Sequence, residues 1–352
     1  MKNIIDSLKI AFVFVGTVVG AGLASGQEIV QFFTKYGAWS IAGILLCGML
    51  YIIIGVMTME IAYKFNSVTY RDLIYLCCGK TLGSVIDFLT TFFIFGGTCI
   101  ILAGSGSIFL EHLGLPHIAG VLAMAIFTAV IVFYSTDGLI FINSIIVPCM
   151  IVIITVIAVL SIINRSVSYS IVYDVIHAPI MKNNWLVSTI LYTSFNLLFA
   201  TGVLAPITKD IKKSPKVFSG VIMGAFLLMV LTFTINIVLI LNIPHIFNFS
   251  IPMLYTAKKF GVVVSTALSV VIWFEMFSTE VANVYSIAKK MNYNFNINYK
   301  LSVVLILAAA FPFTKLGFEN LIKLLYPAFG FVSTFYIICL IRLYFKNFYN
   351  KK

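Results

Sequence analysis

Apolar stretches of about eighteen residues or more recur along nearly the whole chain, separated by short polar loops. At about 1.5 Å per residue, each is long enough to cross a hydrocarbon core roughly 30 Å thick. The pattern predicts ten spans, at 8–34, 38–64, 84–112, 116–134, 138–163, 184–208, 215–242, 258–290, 298–314 and 317–345. The segment 69–79 is too short to cross and reads as an interfacial helix. Residues 244–257, opening on Pro244, read as a similar short element on the other face. The chain is expected to form a single transmembrane domain over 1–352.

The spans divide into two blocks of five, 8–163 and 184–345. Five is odd, so the second block starts from the opposite face and runs inverted relative to the first. Both blocks open on an interrupted span. The first carries GTVVGAGLASGQE at 16–28. The second carries TILYTSFNLLFATGVLAP at 189–206, where Ser194, Asn196, Thr201, Gly202 and Pro206 punctuate an apolar helix. A bilayer has no water for stray backbone groups, so a helix opens at mid-depth only where the break faces protein or lines a cavity. Interruptions at corresponding positions of inverted halves mark an alternating-access carrier. The predicted fold is therefore an all-α integral membrane protein, with ten helices in a 5+5 inverted repeat and helices 1 and 6 discontinuous.

Composition agrees. The chain is 61% hydrophobic and 10% charged, with a mean hydropathy of +1.08, where soluble domains carry about 25% charged residues. The net charge of +11 does not call for nucleic acid, because the basic residues sit in short loops and no nucleic-acid motif is present. They set topology instead: the face holding both termini collects most of the lysines and arginines, with the KDIKKSPK loop at 209–216 the strongest anchor. By the positive-inside rule both termini are cytoplasmic. No cleavable signal peptide is evident, so the first apolar segment is expected to stay as a span. The six cysteines are scattered and suggest neither disulfides nor zinc. No cofactor is implied beyond an exchangeable ion, and nothing specifies an oligomeric state.

The residues that could carry chemistry cluster in two spans. Gly16, Gly20, Gly22 and Gly26 fit close helix packing through two small-xxx-small repeats. Close packing does not need Ser25, Gln27 and Glu28, which follow at once. If the helix unwinds near 19–23, a half-helix beginning around Ala21 turns free N–H groups toward the membrane centre, which suits a carboxylate. Carbonyls freed at Gly16 and Val19 would suit a cation. In span eight, Glu275, Ser278 and Thr279 share an arc of roughly 100°, with Asn283 beside Thr279, while Glu280 lies about 140° round from Glu275. A charge at mid-membrane costs about 2.5–3.5 kcal/mol even on a lenient scale. Glu28, Glu275 and Glu280 therefore need a proton, a cation, a water-filled path or a hydrogen bond to a neighbouring helix. Hydroxyls of Ser278 and Thr279 with backbone carbonyls would make an oxygen-only site for a hard cation. Tyr326-Pro327 marks a kink. No catalytic triad, P-loop or nucleotide fingerprint is present, so neither catalysis nor primary pumping is supported.

GAGLASGQE at 20–28, the ten spans and the chain length together resemble the YkvI-like bacterial membrane proteins, a branch of the amino acid–polyamine–cation transporter superfamily with the LeuT-type fold. The resemblance implies a sodium ion held by Gly16, Val19, Ser278 and Thr279 with the carbonyl of Glu275. It implies a substrate carboxylate at Gly20, Ala21 and Gly22, with the rest of the substrate meeting Tyr192, Ser194, Phe195 and Asn196. Ser25 and Glu28 follow the break as further substrate-site residues, Glu28 either favouring a cationic substrate or tying span one to a neighbouring helix. Glu280 stands where the family often has a small polar residue, which leaves room for proton coupling through Glu280 or Glu28. Span five has no lysine of the kind that replaces sodium in proton-coupled relatives.

The expected function is secondary active transport of a small organic solute, an amino acid or related amine, in the bacterial cytoplasmic membrane. Sodium coupling is favoured and proton coupling is the alternative. The rival function is a transporter-like sensor that binds a small ligand without net transport. The expected partners are the lipid bilayer and that small molecule.

Overall fold

A computed structural model describes residues 2–65, 70–134, 139–163, 184–210 and 215–348. Among them every regular element is helical. The first predicted span is built from three pieces, α1 (Lys2–Val18), α2 (Ala21–Ser25) and α3 (Gln27–Phe32), followed by a 3-10 turn at Thr34–Tyr36. Then come α4 (Trp39–Lys64), α5 (Tyr70–Leu113), α6 (His117–Tyr134) and α7 (Leu139–Ile163). The second half holds α8 (Trp185–Asp210), α9 (Pro215–Ile240), α10 (Pro252–Lys258), α11 (Val262–Phe295), α12 (Tyr299–Ala310) and α13 (Phe318–Phe348). Seven of the described helices are long and apolar enough to cross a membrane. The link between the two halves, with Arg165, His177 and Lys182, lies outside the described residues, as does 211–214 of the basic loop.

The apolar character of these helices has two destinations. Along α4, Ile44, Cys47, Tyr51 and Ile54 are buried against the other helices. On its opposite face Ile41, Leu45, Met49 and Ile53 are exposed at a spacing of one helical turn. A helix that is apolar all round belongs in lipid, where the outward stripe meets hydrocarbon. Val152, Val156 and Val159 make the same outward stripe on α7.

The two short elements take distinct forms. Residues 70–78 are helical but set off from the rest of α5 by Gly79, whose φ of 74° and ψ of −179° lie outside the helical region. Beyond Pro244, a 3-10 turn at His245–Asn248 and α10 replace a membrane crossing.

Helix α8 corrects one expectation. The sixth predicted span is not discontinuous: Trp185–Asp210 runs as one helix. Its threonines and Asn196 are satisfied without opening the backbone. The hydroxyls of Thr193 and Thr201 donate to the carbonyls of Thr189 and Leu197 at 2.7 and 2.8 Å, and the Asn196 amide donates to the Tyr192 carbonyl at 3.0 Å. Side chains that bond back one turn are tolerated inside a helix. Helix α8 packs on α1, α4, α5 and α13, and so occupies the centre of the bundle.

Candidate functional site

The break in the first span falls at Val19 and Gly20, within the predicted window, and helix resumes at Ala21 as expected. Gly20 is extended, with φ −127° and ψ −173°. A second break was not foreseen. Gly26 adopts a left-handed conformation at φ 81°, donates its N–H to the Leu23 carbonyl, and ends α2 after five residues. The half-helix expected from Ala21 is thus too short to build a strong dipole, which depends on many aligned peptide units. The hydroxyl of Ser25 donates to the Gly22 carbonyl at 2.9 Å and accepts from the Gln27 N–H at 3.3 Å, so Ser25 holds this double bend together.

A cavity of about 210 Å³ opens beside the first break. Its walls bring together Gly20, Ala21 and Glu28 of the broken span, Phe195 and Asn196 of α8, and Thr279 of α11. Five of the predicted substrate residues and one of the predicted sodium ligands therefore share one space. The rest are placed otherwise. Gly22 lies under the Glu28 carboxyl, since a β-carbon built there would stand 2.5 Å from the Glu28 Cδ. Ser194 turns to α13, where its hydroxyl accepts from Thr334 at 3.1 Å. Tyr192 is fully buried, its ring 5.3 Å from Phe32 and 5.0 Å from Phe33. Gly16 faces Val147 of α7, while Val19, Ser278 and Glu275 are buried outside the cavity wall. The Thr279 hydroxyl donates to the Glu275 carbonyl at 3.0 Å, so two of the predicted sodium ligands are bonded to each other.

Sequence reasoning missed the other half of the wall. Phe93 and Gly97 of α5 and Tyr326 and Phe329 of α13 belong to it, and Asn283 of α11, placed beside Thr279 by the sequence, joins them. Their signals were weak: Gly97 read as packing, Tyr326 as a kink beside Pro327. The aromatic rings form a connected wall, with Phe93 4.1 Å from Phe329, Tyr326 5.7 Å from Phe329 and Phe195 5.0 Å from Tyr326.

Among the described residues four carboxyl groups are buried: Asp87, which pairs with Arg71 and Lys290, and three glutamates without such a partner, Glu28, Glu275 and Glu280. Glu28 has the phenols of Tyr326 and Tyr192 as polar neighbours, and its Oε2 makes no hydrogen bond. Glu280 is fully buried beside Thr98 and Cys99 of α5, and neither of its oxygens makes one. Glu275 keeps one oxygen unbonded. Among the described residues no three His, Cys, Asp or Glu side chains converge as a metal site.

The helical bundle, with its first span interrupted beside a cavity shared with α5, α8, α11 and α13, is similar in fold to solved structures of the LeuT type. Two of the solved structures that share this fold illustrate the likeness. One is MHP1, a nucleobase-cation-symport-1 family transporter closed around bromovinylhydantoin (TM-score 0.56, 14% identity, 86% of this chain and 70% of that one). The other is a mutant of the Eremococcus coleocola manganese transporter (TM-score 0.53, 13% identity, 98% of this chain and 88% of that one). In sequence, the chain is a homologue of the Bacillus subtilis membrane protein YkvI, with 28% identity over 94% of this chain and 93% of YkvI. It is likewise a homologue of YyaD from the same organism, with 27% identity over 95% and 96% of the two chains. No family model matches it.

Proposed function

We propose that this protein is a secondary active transporter that carries a small organic solute, an amino acid or related amine, by alternating access. The observation that carries the proposal is the cavity at the Val19–Gly20 break, where a backbone opened inside the membrane meets Glu28, Asn196, Thr279 and a wall of aromatic rings. Irregular backbone at such a depth persists only beside a wet or occupied space. The volume of about 210 Å³ lies below that of sites for drug-sized ligands, which start near 300 Å³. Ten spans in a 5+5 inverted repeat, with both termini on the cytoplasmic side of a bacterial membrane, complete the proposal.

For coupling we favour a sodium ion near the first break and α11. Thr279 lines the cavity with Gly20, and α11 packs against α2. Glu280 is the alternative, as a proton carrier. Its carboxyl is buried without a hydrogen bond and sits beside α5, away from the Thr279 face.

Uptake of labelled amino acids and amines into proteoliposomes, with sodium and proton gradients imposed separately, tests this function. Gradient-driven accumulation supports a carrier. Saturable binding without flux under either gradient would instead identify a sensor.

A further inference from the structure

The charge inventory of the cavity restricts its cargo. Among the described side chains that line it, only Glu28 is a carboxylate, and none is a lysine, arginine or histidine. Glu28 is 4% exposed, and its Oε2 makes no hydrogen bond. A buried carboxyl whose polar neighbours are the neutral phenols of Tyr326 and Tyr192, and which leaves one oxygen unbonded, calls for a cation or a proton. A zwitterionic amino acid meets half of that demand and adds a second problem. Its own carboxylate would also need compensation, and the described side chains of the wall offer it neutral donors alone, with no positive group. The α2 helix that begins at the break has only five residues and stops at Gly26, so its dipole is no counter-ion for a buried carboxylate.

The rest of the wall selects further. Phe93, Phe195, Tyr326 and Phe329 form a contiguous aromatic surface beside Glu28. Aromatic faces attract ammonium groups and accept apolar bodies equally well. We propose that the cavity takes a small primary amine with an apolar body and no carboxylate, its ammonium on Glu28 and its body among the aromatic rings, and that it rejects the matching amino acid. This proposal rests on the cavity being the substrate site of the carrier described above.

The test is equilibrium binding to the purified full-length protein in detergent, with three matched pairs as probes: isoamylamine and leucine, phenethylamine and phenylalanine, tryptamine and tryptophan. In at least one pair the amine is expected to bind about tenfold more tightly than its amino acid, or better, as an unpaired buried charge would cost. Glu28→Gln is expected to remove that preference. Glu28→Asp, which keeps the charge on a shorter arm, is expected to keep the order at weaker affinity. Thermal unfolding of each variant confirms that it is folded. The proposal is overturned if the amino acids bind as tightly as the amines, if Glu28→Gln leaves both affinities unchanged, or if no probe amine binds. Gradient-driven uptake of an amino acid would overturn it and leave the carrier standing. Amine binding without flux would do the reverse.

Discussion

The Glu28 carboxyl lies directly over the α-carbon of Gly22, so closely that no side chain fits between them. The six-residue separation spans both bends of the first membrane segment. Only the left-handed turn at Gly26 folds Gln27–Phe32 back so that Glu28 returns to the break. The neighbouring glycine is different. A β-carbon at Gly20 would meet nothing within 4 Å, and its φ of −127° is open to any residue.

Gly22→Ala should therefore displace Glu28 from the cavity, while Gly20→Ala should only add a methyl group beside it. Overpacking of a tight contact costs about 1–3 kcal/mol. Gly22→Ala is expected to lower the melting temperature and abolish ligand binding. Gly20→Ala should unfold at the native temperature and lose affinity through reduced volume alone. Equal melting temperatures for the two variants would mean that Glu28 does not hold this position in the membrane.

At Gly26 two costs add. An alanine there is held at φ 81°, which costs roughly 1–2 kcal/mol for a residue with a β-carbon. That β-carbon would also stand 2.8 Å from Met253 Cγ of α10. Pairing Gly26→Ala with Met253→Ala removes the second cost and leaves the first. Thermal unfolding should show partial rescue in the double variant relative to Gly26→Ala, once corrected for Met253→Ala alone. Full rescue would show that the left-handed backbone carries no strain.

These positions show what was legible in the sequence. The first break was, because four glycines leading into a polar run weaken a helix just where an unbroken apolar span would need it intact, and the structure opens at Val19–Gly20. The second break was hidden, since Gly26 also satisfied a packing repeat, and the side chains that crowd it, Met253 and Leu239, lie far along the chain. Helix α8 misled for the opposite reason. Ser194, Asn196 and Thr201 look like interruptions, yet Asn196 and Thr201 bond to their own helix and Ser194 to α13. Whether a hydroxyl ends a helix or rides on it is decided by its surroundings. Phe93, Tyr326 and Phe329 were invisible as site residues because an aromatic ring in an apolar span gives no signal separating cavity wall from core.

Asn236 of α9 makes a clamp that the sequence did not announce. Its carbonyl oxygen accepts from the Thr34 hydroxyl at 2.9 Å, and its amide donates to the Ser40 hydroxyl at 2.8 Å. All three residues are buried. The turn between the first two spans is thereby tied to α9, close to where Ser188 of α8 donates to the Phe32 carbonyl at 3.0 Å. Leaving buried groups unpaired costs about 1–3 kcal/mol. Asn236→Ala should therefore destabilise the protein by about that much and raise the reactivity of a cysteine introduced at the neighbouring Lys35 toward a membrane-impermeant thiol reagent. A cysteine that stays equally protected would show that the turn is held by packing, without need of the clamp.

Two faces of α11 carry the candidates for ion coupling. Thr279 faces the cavity and donates to the Glu275 carbonyl, whereas Glu280 points to Thr98 on α5. If sodium is the coupling ion, replacing both Ser278 and Thr279 by alanine removes two hydroxyl oxygens from a hard-cation site, and stimulation of uptake by sodium should disappear. The pH profile of uptake would keep its shape. If the proton is the coupling ion, Glu280→Gln keeps the volume of the side chain and removes its ability to titrate. Uptake should then lose its pH dependence, while the response to sodium in the hydroxyl variants stays as in the native protein. The two variants thus give opposite patterns across one pair of gradients. A native sodium response in the double alanine variant removes Ser278 and Thr279 from the ion site, and a native pH profile in Glu280→Gln removes Glu280 from proton transfer.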